Sequence, residues 1–152
     1  MTRKSIFPEV HQREFDPRDV YKLRYLDDDT CRDVNNIVRD LEEMWSVSYC
    51  CGEQLLGIVC CMEVNCNTVE IWMFLDKAMR KHLRYLYTET ERLLESVNNL
   101  YTRIQCIVRT DWKAANKFVK RFGFEREGTL RCFGLNKEDY FIYSRIRVKK
   151  EG

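Results

Sequence analysis

The sequence predicts one α/β domain, a mixed, mainly antiparallel central sheet flanked by helices. Three observations carry this. The apolar period switches between the helical and the strand value several times along 152 residues. Three β-rich runs between Trp45 and Leu75 are separated only by short turn sequences, which makes them an antiparallel meander. A long amphipathic helix and a shorter one ending at Gly123 follow, each leading into a further strand.

The elements can be justified in order. Ile6 to Phe15 holds a first strand, and Asp16-Pro17 caps a short helix through Leu23 with proline at the first helical position. Asp28 to Thr30 cap a second helix, along which Val34, Ile37, Val38, Leu41 and Met44 recur at spacings of three and four. From Trp45 the period is two, with Trp45, Val47 and Tyr49 on one face, and Cys51-Gly52-Glu53-Gln54 makes a hairpin turn. Leu55 to Val64 returns, Asn65-Cys66-Asn67 turns again, and Thr68 to Leu75 is a third, strongly apolar strand. After Asp76, one stripe of Met79, Leu83, Leu86, Tyr87, Leu93, Leu94 and Val97 marks the longest helix, which Asn98-Asn99 ends. Tyr101 to Arg109 alternates as a central strand, with Ile104, Cys106 and Val108 opposite Arg103, Gln105 and Ile107. Thr110-Asp111 caps the short helix of Trp112, Ala115, Phe118, Val119 and Phe122, and Gly123 is its left-handed stop. Phe124 to Phe133 and Tyr140 to Val148 form a closing hairpin through Gly134 to Asp139.

Composition narrows the function classes. With 26 Lys and Arg against 24 Asp and Glu, the net charge of +2 argues against a strongly basic nucleic-acid binder. A 45% hydrophobic fraction with 6 Gly and 2 Pro supplies a core and excludes a low-complexity chain. The longest near-apolar run, Leu55 to Met62, is far below the roughly 20 residues of a membrane span, and Met1 to Ile6 has no apolar signal core, so the expectation is cytoplasmic. Most of the 8 cysteines lie among Val, Ile, Met and Tyr, and no C-x-x-C occurs. Adjacent pairs such as Cys60 and Cys61 point to opposite faces of a strand, so reduced, structural thiols are expected, not a metal site.

The element order and two stretches carry a resemblance. Trp112 to Gly128, WKAANKFVKRFGFEREG, and the hairpin RCFGLNKEDYFIYSRI resemble the conserved helix block and the C-terminal strands of the GCN5-related N-acetyltransferase (GNAT) superfamily. KAMRKHLR at Lys77 to Arg84 is similar to a phage branch of that fold, which includes an internal virion protein of short-tailed coliphages. The resemblance implies acetyl-CoA as cofactor, with its pantetheine along the backbone of Met73, Phe74 and Leu75. It also implies that pyrophosphate meets the turn at Arg80, Lys81, His82 and Leu83, and that Lys113 or Lys117 lies near the adenosine and 3′-phosphate. The family's glycine-rich phosphate loop reads A-M-R-K-H-L here, and the position of its common helix tyrosine is Val119.

Acetyl transfer to an amine needs a base and often an acid for the leaving thiolate. Glu70, with Glu63 on the preceding strand, is the base candidate, and Tyr140, with Tyr143, the acid candidate. Arg80, Lys81 and Arg84 could hold phosphates by side-chain charge, whereas Asp76 is placed to cap the same helix and compete for its amides. Three functions follow. The first is an acetyl-CoA-dependent N-acetyltransferase with a small-molecule or protein amine as acceptor. The second is an inactive phage protein, with a cleft filled at Met79 and Leu83, that acts in virion assembly or binds a host factor. The third is a module that binds CoA without transfer.

Overall fold

Strand alternation and two-residue turns dictate the sheet. The computed structural model describes residues 10–23 and 34–147, with seven strands in the order β1-β2-β3-β4-β5-β7-β6. These are β1 (Val10–Glu14), β2 (Trp45–Cys51), β3 (Gln54–Asn65), β4 (Thr68–Leu75), β5 (Arg103–Arg109), β6 (Glu125–Leu130) and β7 (Tyr140–Ile146). The helices are α1 (Asp19–Lys22), α2 (Val34–Glu43), α3 (Leu83–Leu100) and α4 (Lys113–Arg121), with a 3-10 helix at Lys77–His82. β4 and β5 run parallel, while β1–β2, β2–β3, β5–β7 and β6–β7 are antiparallel. The chain forms two compact units. One comprises the residues up to Cys61 together with Trp72–Thr90, the other Met62–Ile71 together with everything from Glu91 on.

In the first unit, Gly52 takes φ +58° in the β2–β3 turn, a left-handed conformation that glycine adopts without a Cβ penalty. One face of the strands carries a core of Val20, Leu23, Leu41, Cys50, Leu55, Ile58, Cys60 and Phe74, with Phe15, Val38, Met44 and Trp72 packed against it. Within this core lies one charge. Asp19 is fully buried, and both carboxylate oxygens are taken by the Arg13 guanidinium at 2.6 and 2.7 Å. Ser48 Oγ and the Asp16 amide donate to it as well, at 2.9 and 3.2 Å. Burial pushes the Asp19 carboxyl up, but the hydrogen bonds from Arg13, Ser48 and the Asp16 amide outweigh it and hold the group below the usual range. On the other face Tyr49 and Tyr85 of α3 meet edge to face, centroids 5.6 Å apart.

The second unit is ordered by the central strand. Burial alternates along β5, and the register places Ile104, Cys106 and Val108 beside Arg145, Tyr143 and Phe141 of β7. α4 docks through one buried polar pair: the Tyr143 hydroxyl donates to Asn116 Oδ1 at 2.6 Å, and Asn116 Nδ2 donates to the Arg109 and Trp112 carbonyls. At the end of α4, Gly123 has φ +82°, its amide bonds the Lys120 carbonyl and the Phe124 amide bonds that of Val119. This double closure satisfies carbonyls that a helix end otherwise orphans, and it seats Phe124 in the core.

Several sequence expectations shift. The start of the first strand at Ile6 and the second helix's cap at Asp28 to Thr30 lie outside the described residues, as do the side chains of Val34 and Ile37. α1 begins at Asp19, two residues after Pro17, because the Asp16 side chain accepts from the Arg18 amide and forms a turn first. α4 has Trp112 at its N-cap without a side-chain cap; Asp111 Oδ1 instead takes Arg109 Nε at 2.5 Å, an ionic bond that outcompetes a neutral amide. The stripe assigned to the long helix loses Leu83, which is 48% exposed. A 3-10 residue advances about 120° against about 100° in an α-helix, so four residues past Met79 the chain has turned some 80° further than the α period assumes.

Candidate functional site

The end of β4 is set by a close approach. A Cβ on Gly57 would lie 2.9 Å from the Phe74 carbonyl oxygen, so only glycine lets the β3 backbone pass there. Two residues past Phe74, the Asp76 amide donates to the Leu56 carbonyl at 2.8 Å. This fixes Asp76, fully buried, at the start of the 3-10 helix, where its Oδ1 accepts from the Ala78 amide at 2.8 Å. The amide of Ala78 at the helix start is therefore already taken by a side chain of the same chain. Met79 is fully buried behind it, whereas Arg80 and Lys81 are exposed and His82 is half-buried. Arg80 and Lys81 make no ion pair among the described residues. Of the expected backbone platform, Phe74 is buried, while Met73 and Leu75 are half-buried.

The second unit holds the titratable groups. Glu70, half-buried near the start of β4, accepts from Gln105 Nε2 at 3.0 Å. The two are register partners in the parallel ladder, which pairs Thr68, Val69 and Glu70 with Arg103, Ile104 and Gln105. Arg103 Nε donates to Gln105 Oε1 at 3.2 Å, and the Arg103 guanidinium bonds both oxygens of Glu127 at 2.9 and 2.5 Å. Hydrogen bonds from Arg103 pull the Glu127 carboxyl down against the weaker opposing effect of burial, and Ser144 adds to the pull. Glu63, the alternative base, is exposed and accepts from the Tyr101 hydroxyl at 2.9 Å.

The two tyrosines separate. Tyr140 pairs with Arg109, two alternations along β5 from Gln105, and so shares a sheet face with Glu70. It is buried edge to face against Phe133, centroids 5.3 Å apart. Tyr143 pairs with Cys106 on the opposite face, and its hydroxyl is committed to Asn116. Burial raises its proton affinity, which suits a structural hydroxyl better than a proton donor. Lys117 stands exposed on α4.

Cys50, Cys60 and Cys106 are buried, as a packing role requires, whereas the exposed Cys66 and Cys132 depart from that expectation. Burial pushes Cys61 up to about 12, and burial with the Glu70 charge does the same for Cys106. Among the described residues no group of His, Cys, Asp and Glu could hold a metal, and no helix is long and apolar enough to cross a membrane.

The sequence reading missed Gln105, Arg103, Glu127 and Asn116 as partners. The first three alternate with apolar positions or sit in the FEREG stretch, where polarity signals only an outward face; Asn116 lies within an apolar helix pattern and could have been singled out as a buried polar residue.

No family model matches the chain, and no curated protein sequence matches it. Solved structures do. Ard1 from Thermoplasma volcanium superposes with TM-score 0.76 at 20% identity, covering 93% of this chain and 99% of that one. A Bacillus subtilis acetyltransferase in complex with CoA gives 0.70 at 14% identity, covering 92% and 99%. An acetyltransferase of the GNAT family from Bacillus anthracis gives 0.69 at 16% identity, covering 91% and 95%. The mixed seven-stranded sheet and its flanking helices are thus the GNAT fold. The likeness is of architecture, and function has to be argued from the site.

Proposed function

We propose that this chain is an acetyl-CoA-dependent N-acetyltransferase, folded as one domain and acting in the cytoplasm on an amine of a small molecule or a protein. The observation that carries this is the half-buried Glu70 carboxylate, held by Gln105 on the one parallel strand pair of a GNAT-type sheet. Acetyl-CoA supplies the acetyl group as a thioester. Glu70 takes the amine proton through a water, and Tyr140, on the same face, returns a proton to the departing sulfur. Backbone at Met73, Phe74 and Leu75 pairs with the pantetheine. Arg80, Lys81 and His82 hold pyrophosphate by side-chain charge at the turn that ends in Leu83, replacing the glycine loop, and Lys117 offers a cation to the 3′-phosphate.

One observation favours a second reading. Asp76 already occupies the Ala78 amide, one of the helix-start donors that a pyrophosphate would use. In that reading the fold is kept without the reaction, and the protein serves a phage or host protein as partner, as the likeness of Lys77 to Arg84 to the phage branch suggests. Retention of CoA as a ligand without transfer is the intermediate case.

Thermal unfolding with acetyl-CoA, against free CoA and ATP at low and raised salt, separates these. A ligand at 100 times its dissociation constant adds about 2.7 kcal/mol, a rise of a few degrees. A salt-resistant shift with acetyl-CoA, followed by release of free CoA thiol in the presence of an amine, supports the enzyme. Absence of any shift sinks it.

A further inference from the structure

We infer that Gln105 is a positioning residue for Glu70, and that its amide is locked in the working orientation by Arg103, itself clamped by Glu127. The inference rests on the reading of Glu70 as base. Hydrogen-bond polarity decides it. Arginine has only donors, so the Gln105 atom that receives Arg103 Nε at 3.2 Å must be the carbonyl oxygen. That leaves the amide NH2 facing Glu70 at 3.0 Å, and an ionised carboxylate accepts only. Both ends of the amide are thus specified, and a flipped Gln105 would set like poles against each other at both contacts. Arg103 cannot swing away, because Glu127 takes two of its N–H groups in a fork.

The chain of four side chains runs from β6 over β7 to β5 and on to β4. Its polarity runs in one direction. Glu127 fixes Arg103, Arg103 turns the oxygen of Gln105 toward itself, and Gln105 presents an N–H to Glu70. Gln105 thereby helps to fix the direction of the carboxylate, which in the proposed reaction takes the amine proton through a water. A general base contributes roughly 10²- to 10⁴-fold only when it stands within hydrogen-bond reach of that proton, so its orientation is worth a substantial part of the rate.

The test uses the full-length chain in two arms. In the first, the Gln105 side-chain NH2 resonances of ¹⁵N-labelled protein are assigned by their disappearance in Q105L. They should shift in E70Q, which changes the direct partner, and also in E127Q, which touches Gln105 only through Arg103. Unchanged resonances in E127Q overturn the lock. In the second arm, CoA release is followed with n-butylamine and with a tetrapeptide bearing a free N-terminus. E70Q should lose about 10²-fold or more, Q105L about 10-fold and E127Q a few-fold, all in kcat with the KM for acetyl-CoA unchanged. Wild-type turnover in Q105L and E127Q, with E70Q inactive, overturns the positioning role and leaves the base in place. Wild-type turnover in E70Q removes the base itself, a different result with a different cause.

Discussion

Asp19 in the first compact unit and Glu70 in the second each belong to a hydrogen-bond cluster, and the two clusters are built to opposite specifications. Asp19 has no exposed surface and is closed from every side by Arg13, Ser48 and the Asp16 amide. Glu70 stays half-buried at the head of a linear chain, with Gln105 at its side and the ionic clamp of Arg103 and Glu127 two links away. The difference teaches where a charge can work. A carboxylate surrounded by donors is scaffolding, since any proton it took would have to displace one of them. A carboxylate left half-buried keeps part of its surface toward solvent.

The comparison can be broken at its buried end first. D19A should cost about 3 kcal/mol in urea unfolding, because it strands the Arg13 guanidinium and Ser48 Oγ beside an apolar core; the partial exposure of Arg13 keeps the cost from being larger. Asp19 also sets a pH dependence. Its folded-state affinity for protons is lowered, so the unfolded chain binds a proton first as pH falls. The stabilisation is therefore complete above the ordinary aspartate value of about 4 and declines below it. D19N should flatten that part of the stability profile, and an unaltered acid limb would count against the buried pair as its source.

G57A comes next, at about 1–3 kcal/mol, since the added methyl meets a backbone carbonyl that cannot move without dragging β4. Y143F should cost roughly 1–3 kcal/mol by leaving Asn116 Oδ1 buried without its donor, and it should leave acetyl transfer intact. Comparable loss of turnover in Y143F and Y140F would erase the distinction between the two tyrosines. At the small end, E127Q should change stability by no more than about 1 kcal/mol, because the Arg103 pair is partly solvated, yet still alter the Gln105 resonances. A thiol-labelling time course on the native protein should modify Cys66 and Cys132 ahead of Cys61 and Cys106, whose thiolates burial disfavours.

Much of the architecture was legible because it follows from local rules. The hairpin at Gly52, the stop at Gly123 and the alternation of Ile104, Cys106 and Val108 each depend on a few neighbouring residues, and each occurs where the pattern places it. The Asp76 cap was legible for the same reason. The helix starts were less so. Asp111 has the composition of a cap, but whether its carboxylate turns to an amide or to Arg109 depends on a contest that sequence spacing does not score. Leu83 failed because the 3-10 helix changes the angular step ahead of it. In the candidate site Glu70 could be singled out by type, whereas Gln105 and Glu127 could not: their partnership joins β4, β5 and β6, residues 35 and 24 positions apart, and exists only through strand register.

The glycine at position 57 also bears on how the chain finds its fold. It is the sole residue of β3 without a Cβ, and it sits where the Phe74 carbonyl leaves room for none. Were β4 to zip onto β3 two residues out of step, Leu55 or Val59 would meet that carbonyl with a branched side chain. A misaligned hairpin thus collides with itself before the later strands can add to it. Position 57 ties the register of the meander to one missing methyl group.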